Sequence, residues 1–471
     1  MADDWANSGS GEVAGVDLHV ELTGAGGLRA QLMSALRDAI RSGRLAPGTR
    51  LPPYRGLAAD LGIARNTVAA AYAELVEEGW LTARQGSGTR VAQRAAPAPI
   101  RHRVDPVRPG PQRVLHDLQP SSPNAAAFPR SDWATSTRRA LASAPHDAFG
   151  VGDPRGRPEL RDAVAEYLSR ARGVRAEPDR ILICAGFAHG LQLLTQVLDG
   201  PIAMEAYGLD FHRNTVHANG IDTIPISVDG HGAVVDELRA TAARAVVLTP
   251  AHQYPTGGPL NPERRATVVD WVRSTGGLLI EDDYDGEFRY DREPIGALQG
   301  LDPDRIAYLG SVSKSLSPAL RLGWMVLPDA LIDTVLAAKG SRELWVSVVT
   351  QLALADFLRT GAYDRHLRRS RATHRRRRAL LVHTLAERAP HVRVSGIAAG
   401  LHAVLELPPG TEKSTVRAAR RLGLALDGLH RYRHPATTMP DRDGLVIGYG
   451  TPADHAFAPA LDALCQALPS P

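Results

Sequence analysis

Two different hydrophobic rhythms divide the chain. Between Leu28 and Ile40, the apolar residues Leu28, Leu32, Leu36, Ala39 and Ile40 recur every three or four positions, which puts them on one side of a helix. Gly43-Arg44-Leu45-Ala46-Pro47-Gly48 stops that helix. Tyr54 to Leu61 reads as a second, shorter helix, and Gly62 turns the chain. Ala64-Arg65-Asn66-Thr67-Val68 opens a third, which runs to Glu77 with Val68, Ala71, Tyr72 and Leu75 on its inner face. From Glu78 to Val91 two short strands meet at a glycine-bearing turn. Residues 93–116 then carry Pro, Ala and Arg without periodicity and read as a linker.

From Asp117 onward the rhythm changes to short unbroken apolar runs separated by helical stretches, the pattern of a parallel α/β domain. The runs are Ile181 to Ala185, Ala203 to Met204, Ala245 to Leu248, Leu278 to Ile280 and Ile306 to Gly310. Each ends in residues that can do chemistry. After the first run, the amides of Gly186, Phe187 and Ala188 open a helix and form an anion site. The second ends at Tyr207, an aromatic that could stack on a planar ring, and the third leads into His252-Gln253-Tyr254-Pro255-Thr256-Gly257. The fourth ends in Glu281-Asp282-Asp283-Tyr284, where alternation places Asp282 and Tyr284 on one face.

The fifth run leads into Ser311-Val312-Ser313-Lys314, with Arg321-Leu322-Gly323 seven residues on. Composition singles out the lysine in that stretch. The chain has three lysines (Lys314, Lys339, Lys413) against 52 arginines. A guanidinium stays protonated, whereas a desolvated amine loses its proton and attacks an aldehyde, so Lys314 is the candidate nucleophile. Ser311, Ser313 and Arg321 beside it can hold phosphate oxygens.

With 471 residues, 44% hydrophobic and 23% charged, the chain reads as a multidomain globular protein. No apolar run approaches the roughly 20 residues that span a bilayer, so no membrane partner is expected. Residues 1–25 are expected to be disordered and to carry neither signal peptide nor anchor. Two distant cysteines fit a reducing cytoplasm. The net charge of +4 is uneven: Leu28 to Arg113 holds 14 arginines against 6 acids, which points to a polyanionic partner for the first module. A second run, Arg365 to Arg378, carries eight arginines in fourteen residues and reads as a solvated helix face.

Residues 26–92 resemble a GntR-type winged helix-turn-helix. The resemblance rests on Gly43-Arg44-Leu45-Ala46-Pro47-Gly48, Leu51-Pro52, Arg55-x-Leu57-Ala58, Arg65-Asn66-Thr67-Val68, Ala71-Tyr72-x-x-Leu75, Glu78-Gly79 and Gly86-Ser87-Gly88-Thr89. Tyr54 and Ala64 stand where that family usually has Ser. The resemblance implies double-stranded operator DNA as partner, contacted by Arg55, Arg65, Asn66, Thr67, Arg84, Gly86, Ser87 and Thr89. Residues 117–471 resemble a fold-type I aminotransferase that binds pyridoxal 5′-phosphate, with a small α+β subdomain from about residue 365. Together the two resemble the MocR/GabR family of transcriptional regulators.

By that resemblance Lys314 would form the internal aldimine, Asp282 would pair with the pyridine nitrogen and Tyr284 would bond the ring oxygen. Ser311, Ser313, Arg321 and the Gly186, Phe187 and Ala188 amides would hold the phosphate, with Tyr207 and Tyr254 also lining the cofactor. Tyr254 stands where active aminotransferases usually have Asn. Near the end, Arg431 or Arg433 would clamp an effector carboxylate. The resemblance further implies a cytoplasmic homodimer responding to the cofactor or to an amino compound. Its rival is a working aminotransferase with an autoregulatory DNA-binding module.

Overall fold

The computed structural model describes residues 22–23, 26–84, 88–93, 114–120, 123–290, 295–340 and 346–469. The expected disorder of residues 1–25 falls largely outside these, as do Gly86, Ser87 and all of the expected linker but Gln93 and residues 114–116. The chain divides into two compact units, residues 1–110 and 111–471.

In the first unit, α1 (Leu28–Arg41), α2 (Tyr54–Leu61) and α3 (Arg65–Glu77) precede a hairpin of β1 (Leu81–Arg84) and β2 (Gly88–Val91). The periodic residues close its core: Leu32, Leu36, Leu57, Val68 and Leu75 are fully enclosed. Burying one such side chain contributes about 1.5–3 kcal/mol. Ala64 ends up as the N-cap of α3 and makes no side-chain cap bond, as an alanine must.

The second unit is built on a seven-stranded sheet. Its strands are β3 (Ile181–Cys184), β4 (Ile202–Glu205), β5 (Thr223–Ile226), β6 (Ala245–Leu248), β7 (Leu278–Asp283), β8 (Ile306–Ser311) and β9 (Gly323–Val326), in the order β3-β9-β8-β7-β6-β4-β5. Only β9 runs antiparallel to its neighbours. Both faces are covered by apolar packing. Ile183, Tyr308 and Trp324 point to one side, against α4 (Pro158–Arg172), while Leu182, Leu309 and Met325 point to the other, against α5 (Phe187–Thr195). A strand buried on both faces needs an unbroken apolar run, which is why five of the seven strands were readable in the sequence, while β5 and β9 were not read there.

The small subdomain has an antiparallel sheet of β10 (Arg393–Ser395), β11 (His402–Glu406), β12 (Asp427–Gly428) and β13 (Gly444–Gly448), in the order β10-β11-β13-β12. The long helix α7 (Ala362–Arg388) enters it and α8 (Asp454–Ala467) packs on its core. One boundary differs from expectation. His116–Asp117 pairs in parallel with Leu424–Ala425, and Leu118 is fully buried in the small-subdomain core, so the subdomain begins with residues assigned above to the linker and the large domain. Two short segments so far apart leave no periodic signal.

The arginine run of α7 is mostly a solvated face, with Arg365, Arg368, Arg369, Arg375 and Arg376 exposed. Arg377 turns inward to the Tyr449 carbonyl (3.0 Å) and to Asp454 (2.5 Å).

A buried ion pair anchors the end of β7. Arg172 grips Asp283 with two bonds of 2.6 and 3.0 Å, and Tyr308 donates to the same carboxylate at 2.7 Å. Arg172→Ala strands that charge in the interior. It is expected to cost about 3–5 kcal/mol in urea denaturation of the second unit. Arg388→Ala, at an exposed pair with Asp462, should leave the transition where it was.

Candidate cofactor cavity and nucleic-acid surface

Because β9 runs against its neighbours, its first residue arrives at the edge where the parallel strands end. Gly323 pairs with Ser311 on one side and Cys184 on the other. A cavity of about 530 Å³ opens along that edge, within the range of cofactor sites. Its walls carry Gly186, Phe187, Ala188, Asp282, Tyr284, Ser311, Ser313, Lys314, Arg321, Tyr254 and Arg431.

The carboxylate run at the end of β7 is resolved by alternation. Glu281 accepts the Leu298 and Gln299 amides at 2.9 Å each, and Asp283 is held by Arg172 and Tyr308. Asp282 faces the cavity instead. It is buried, and its Oδ1 has no hydrogen-bond partner among the described residues. Burial first, then Asp283, Glu205 and Asp285, hold its carboxyl well above the usual range. The carboxyl borders the cavity wall, and a cationic N–H donor such as a pyridinium would complete it.

Lys314 follows β8 across from it. Its side chain touches the cavity but is otherwise packed in protein, so burial depresses its pKa while Asp285 and Asp282 pull the other way. Lys339 is spent elsewhere: it is buried and donates to the carbonyls of Ile183 (2.7 Å) and Pro154.

The anion end of the cavity is built from backbone. Gly186 caps α5 with φ +98°, a conformation costly for any residue with a Cβ, and the free amides of Phe187 and Ala188 follow it. Ser313 lies against this turn. Arg321 is the only non-glycine with positive φ among the described residues (φ 48°). That backbone costs about 1 kcal/mol or more and aims the guanidinium at the same wall.

Two expected site residues are elsewhere. Tyr207 is fully buried in an apolar cluster with Tyr432, Leu429 and Val446 and does not line the cavity. It extends a strand whose side chains alternate, and its own falls on the core side. Arg433 also lies off the wall, tied to the carbonyls of Thr437 and Met439 and to Asp441. Arg431 is on the wall, bonded to Asp427 at 2.8 Å.

Sequence reasoning missed His212 and Arg213, in the first turn of α6 (Asp210–Ala218), which the fold swings over the cavity. His212 packs tilted on Phe187, 4.5 Å between ring centres. Burial, Lys314 and Arg213 push its pKa down to about 3, so it presents a neutral flat ring. Their signal was position: a helix starting just past a strand end.

On the first unit, Arg55, Arg65 and Asn66 are exposed, Thr67 is half-buried and Arg84 is exposed in β1. Thr89 is a correction. Its side chain is 6% exposed, because β2 alternates and Thr89 falls on the core face; Arg90 beside it points outward.

Residues 28–91 match the family described as bacterial regulatory proteins, gntR family, and residues 121–432 match aminotransferase class I and II. The chain is 34% identical over 431 residues to the pyridoxine biosynthesis transcriptional regulator PdxR of Corynebacterium glutamicum, covering 89% of this chain and 91% of that one. It is 32% identical over 444 residues to the probable rhizopine catabolism regulatory protein MocR of Rhizobium meliloti, covering 89% of each. In fold, it resembles LysN, the α-aminoadipate aminotransferase of Thermus thermophilus (TM-score 0.68, 24% identity, 76% of this chain and 92% of that one). The multiple substrate aminotransferase of Thermococcus profundus is similar too (TM-score 0.69, 22% identity, 76% and 91%).

Asp282→Asn separates stability from cofactor retention. Because burial raises the folded carboxyl's pKa, the cofactor-free protein loses stability as pH climbs above the unfolded value of about 4. Removing the ionisable group abolishes that loss, so the cofactor-free variant should melt higher than the unmutated chain at pH 8. Its affinity for pyridoxal 5′-phosphate should fall by about 10–100-fold, the worth of one charged hydrogen bond, measured by absorbance titration.

Proposed function

We propose that this chain, which belongs to the MocR/GabR family of transcriptional regulators, reads operator DNA through the first turn of α3 and alters that binding when its cavity is occupied. The observation that carries the reading is the convergence on one cavity of a desolvated amine, an unpartnered buried carboxylate and a helix start with free amides. These residues suit pyridoxal 5′-phosphate. Lys314 would hold it covalently, Asp282 would face its ring nitrogen and Tyr284 its ring oxygen. Gly186, Phe187, Ala188, Ser311, Ser313 and Arg321 would take the phosphate. When bound, the cofactor supplies an aldehyde carbon and an electron-withdrawing ring.

Sensing rather than turnover is favoured by Tyr254. It is 8% exposed, packs edge-on against Tyr284 at 5.6 Å and reaches Tyr432 at 3.4 Å, filling space with an aromatic where a small amide would leave room. The effector is then the cofactor itself or an amino compound whose carboxylate meets Arg431. One relative is named for pyridoxine biosynthesis and another for rhizopine catabolism, so control of cofactor synthesis or of amine metabolism fits this chain. The working form is a cytoplasmic homodimer, each protomer bringing one α3 to half of the operator. Among the described residues no helix is long and apolar enough to cross a membrane.

Borohydride reduction of the loaded protein, followed by peptide mapping, is expected to label Lys314 and neither Lys339 nor Lys413. The cofactor should change operator affinity, and by linkage DNA should change cofactor affinity by the same factor, typically 5–150-fold. Lys314→Ala should bind DNA as the cofactor-free protein does at every cofactor concentration. Equal operator affinity with and without cofactor, at fixed salt, would sink the regulatory reading. Steady turnover of an amino donor and a 2-oxo acid would support an enzyme instead.

Arg65→Ala is expected to leave cofactor absorbance intact while cutting the preference for operator over random DNA by about 5–150-fold. That is the worth of one bidentate base contact, about 1–3 kcal/mol. Competition shift assays measure it.

A further inference from the structure

Behind Tyr284, away from the cavity, one ring nitrogen serves two oxygens. His252 Nδ1 lies 2.9 Å from Asp285 Oδ2 and 3.0 Å from the Tyr284 hydroxyl. His252 and Asp285 are almost fully buried, at 3% and 2% exposure. A bare Nδ1 would set its lone pair against the carboxylate's, so a proton lies on the line between them. That nitrogen cannot then also accept the phenol proton. The Tyr284 oxygen is therefore the acceptor in this contact, and its own hydrogen is left to point elsewhere.

The pair is assembled only by the fold. His252 comes from the loop after β6, and Tyr284 and Asp285 follow β7. The wall behind the pair is Gly400, in the loop before β11. A Cβ on Gly400 would stand 2.4 Å from Asp285 Oδ2 and 2.5 Å from His252 Cε1, so no other residue fits without moving the pair. The Gly400 peptide is fixed in turn: its N–H donates to the Phe288 carbonyl (2.6 Å) and its own carbonyl accepts from Tyr449 (2.9 Å) and Tyr290 (2.5 Å). The ligand atoms of His252, Asp285 and His402 also fall within 4.8 Å of one another, the spacing of a metal site. That use is disfavoured. His252 Nδ1 is already committed, and His402 Nε2 bonds the Pro255 carbonyl at 3.1 Å.

We propose that His252 and Asp285 are positioning residues for Tyr284: they hold its oxygen from behind so that its hydroxyl hydrogen projects into the cavity toward the ring oxygen of the cofactor. The inference rests on the reading that the cofactor sits at Lys314. Asp282, Asp285, Tyr254, Lys314 and His402 are the other ionisable groups around this corner. Of these, Asp285 also reaches the phenol and competes with the cofactor's ring oxygen for its hydrogen, while the Nδ1 contact holds the phenol oxygen from behind.

The test is the pH midpoint at which the visible band of the bound cofactor changes. A donor to the ring oxygen stabilises the deprotonated form, in which that oxygen carries the full negative charge, and so lowers the midpoint. Tyr284→Phe is expected to raise it by about 1–2 pH units, the worth of one hydrogen bond to a charged group. His252→Phe and Asp285→Asn should raise it by less. The double variant His252→Phe/Tyr284→Phe should match Tyr284→Phe alone, because the pair acts through the phenol. His252→Asn, whose amide nitrogen can stand near the Nδ1 position, should stay close to the unmutated midpoint. An unmoved midpoint in both His252→Phe and Asp285→Asn, or shifts that add in full to that of Tyr284→Phe, would overturn the proposal. Absence of any visible band in the loaded, unmutated protein would instead remove the cofactor reading, and this inference with it.

Discussion

Three carboxylates stand side by side at the end of a strand buried on both faces, and an interior of low polarity does not tolerate three unpaired charges. Strand alternation divides them. Glu281 and Asp283 turn to one side, where two amides and an arginine absorb them, and Asp282 turns to the other, where nothing does. The cavity is organised around that asymmetry. An acid kept buried and incomplete costs stability, and a cationic ring donor beside it would offset that cost.

The other walls store smaller amounts of the same kind of tension. Lys314 is packed closely enough to lose proton affinity, Arg321 is held in a left-handed backbone, and the first amides of α5 have no partner within their helix. Each is a local cost that a phosphate-bearing aldehyde would offset. Sites of this kind are where structures depart from local preference, and here the departures cluster within one edge of one sheet. Tyr254, buried against Tyr284, fills the corner beside these groups with an aromatic ring.

How much of this was legible before the fold was known depends on the range of the signal. The helices of the first unit and the buried strands of the second were readable because periodicity is a local property of a few adjacent residues. Lys314 stood out because a chain with 52 arginines retains lysine at only three places. Asp282 was separable from its two acidic neighbours because a strand alternates with period two. The same rule, applied to Tyr207 and Thr89, would have required knowing which face of each short strand was the core, and there the expectation failed.

What the tertiary structure alone decided is whatever depends on residues distant in sequence meeting in space. The Arg172 clamp on Asp283 spans 111 residues, and the pairing of His116 with Leu424 joins the two ends of the second unit. His212 reaches the cavity because a helix folds back across strand ends, and Arg431 was separated from Arg433 by which of two neighbouring side chains found a partner behind the wall. The sequence by itself determined the elements, the chemistry at the strand ends and the two-module order, since each is written in contiguous residues. The choice of wall residues, and the neighbours that set their charge, needed the packed sheet, because burial and electrostatics are properties of a surrounding volume rather than of a stretch of chain.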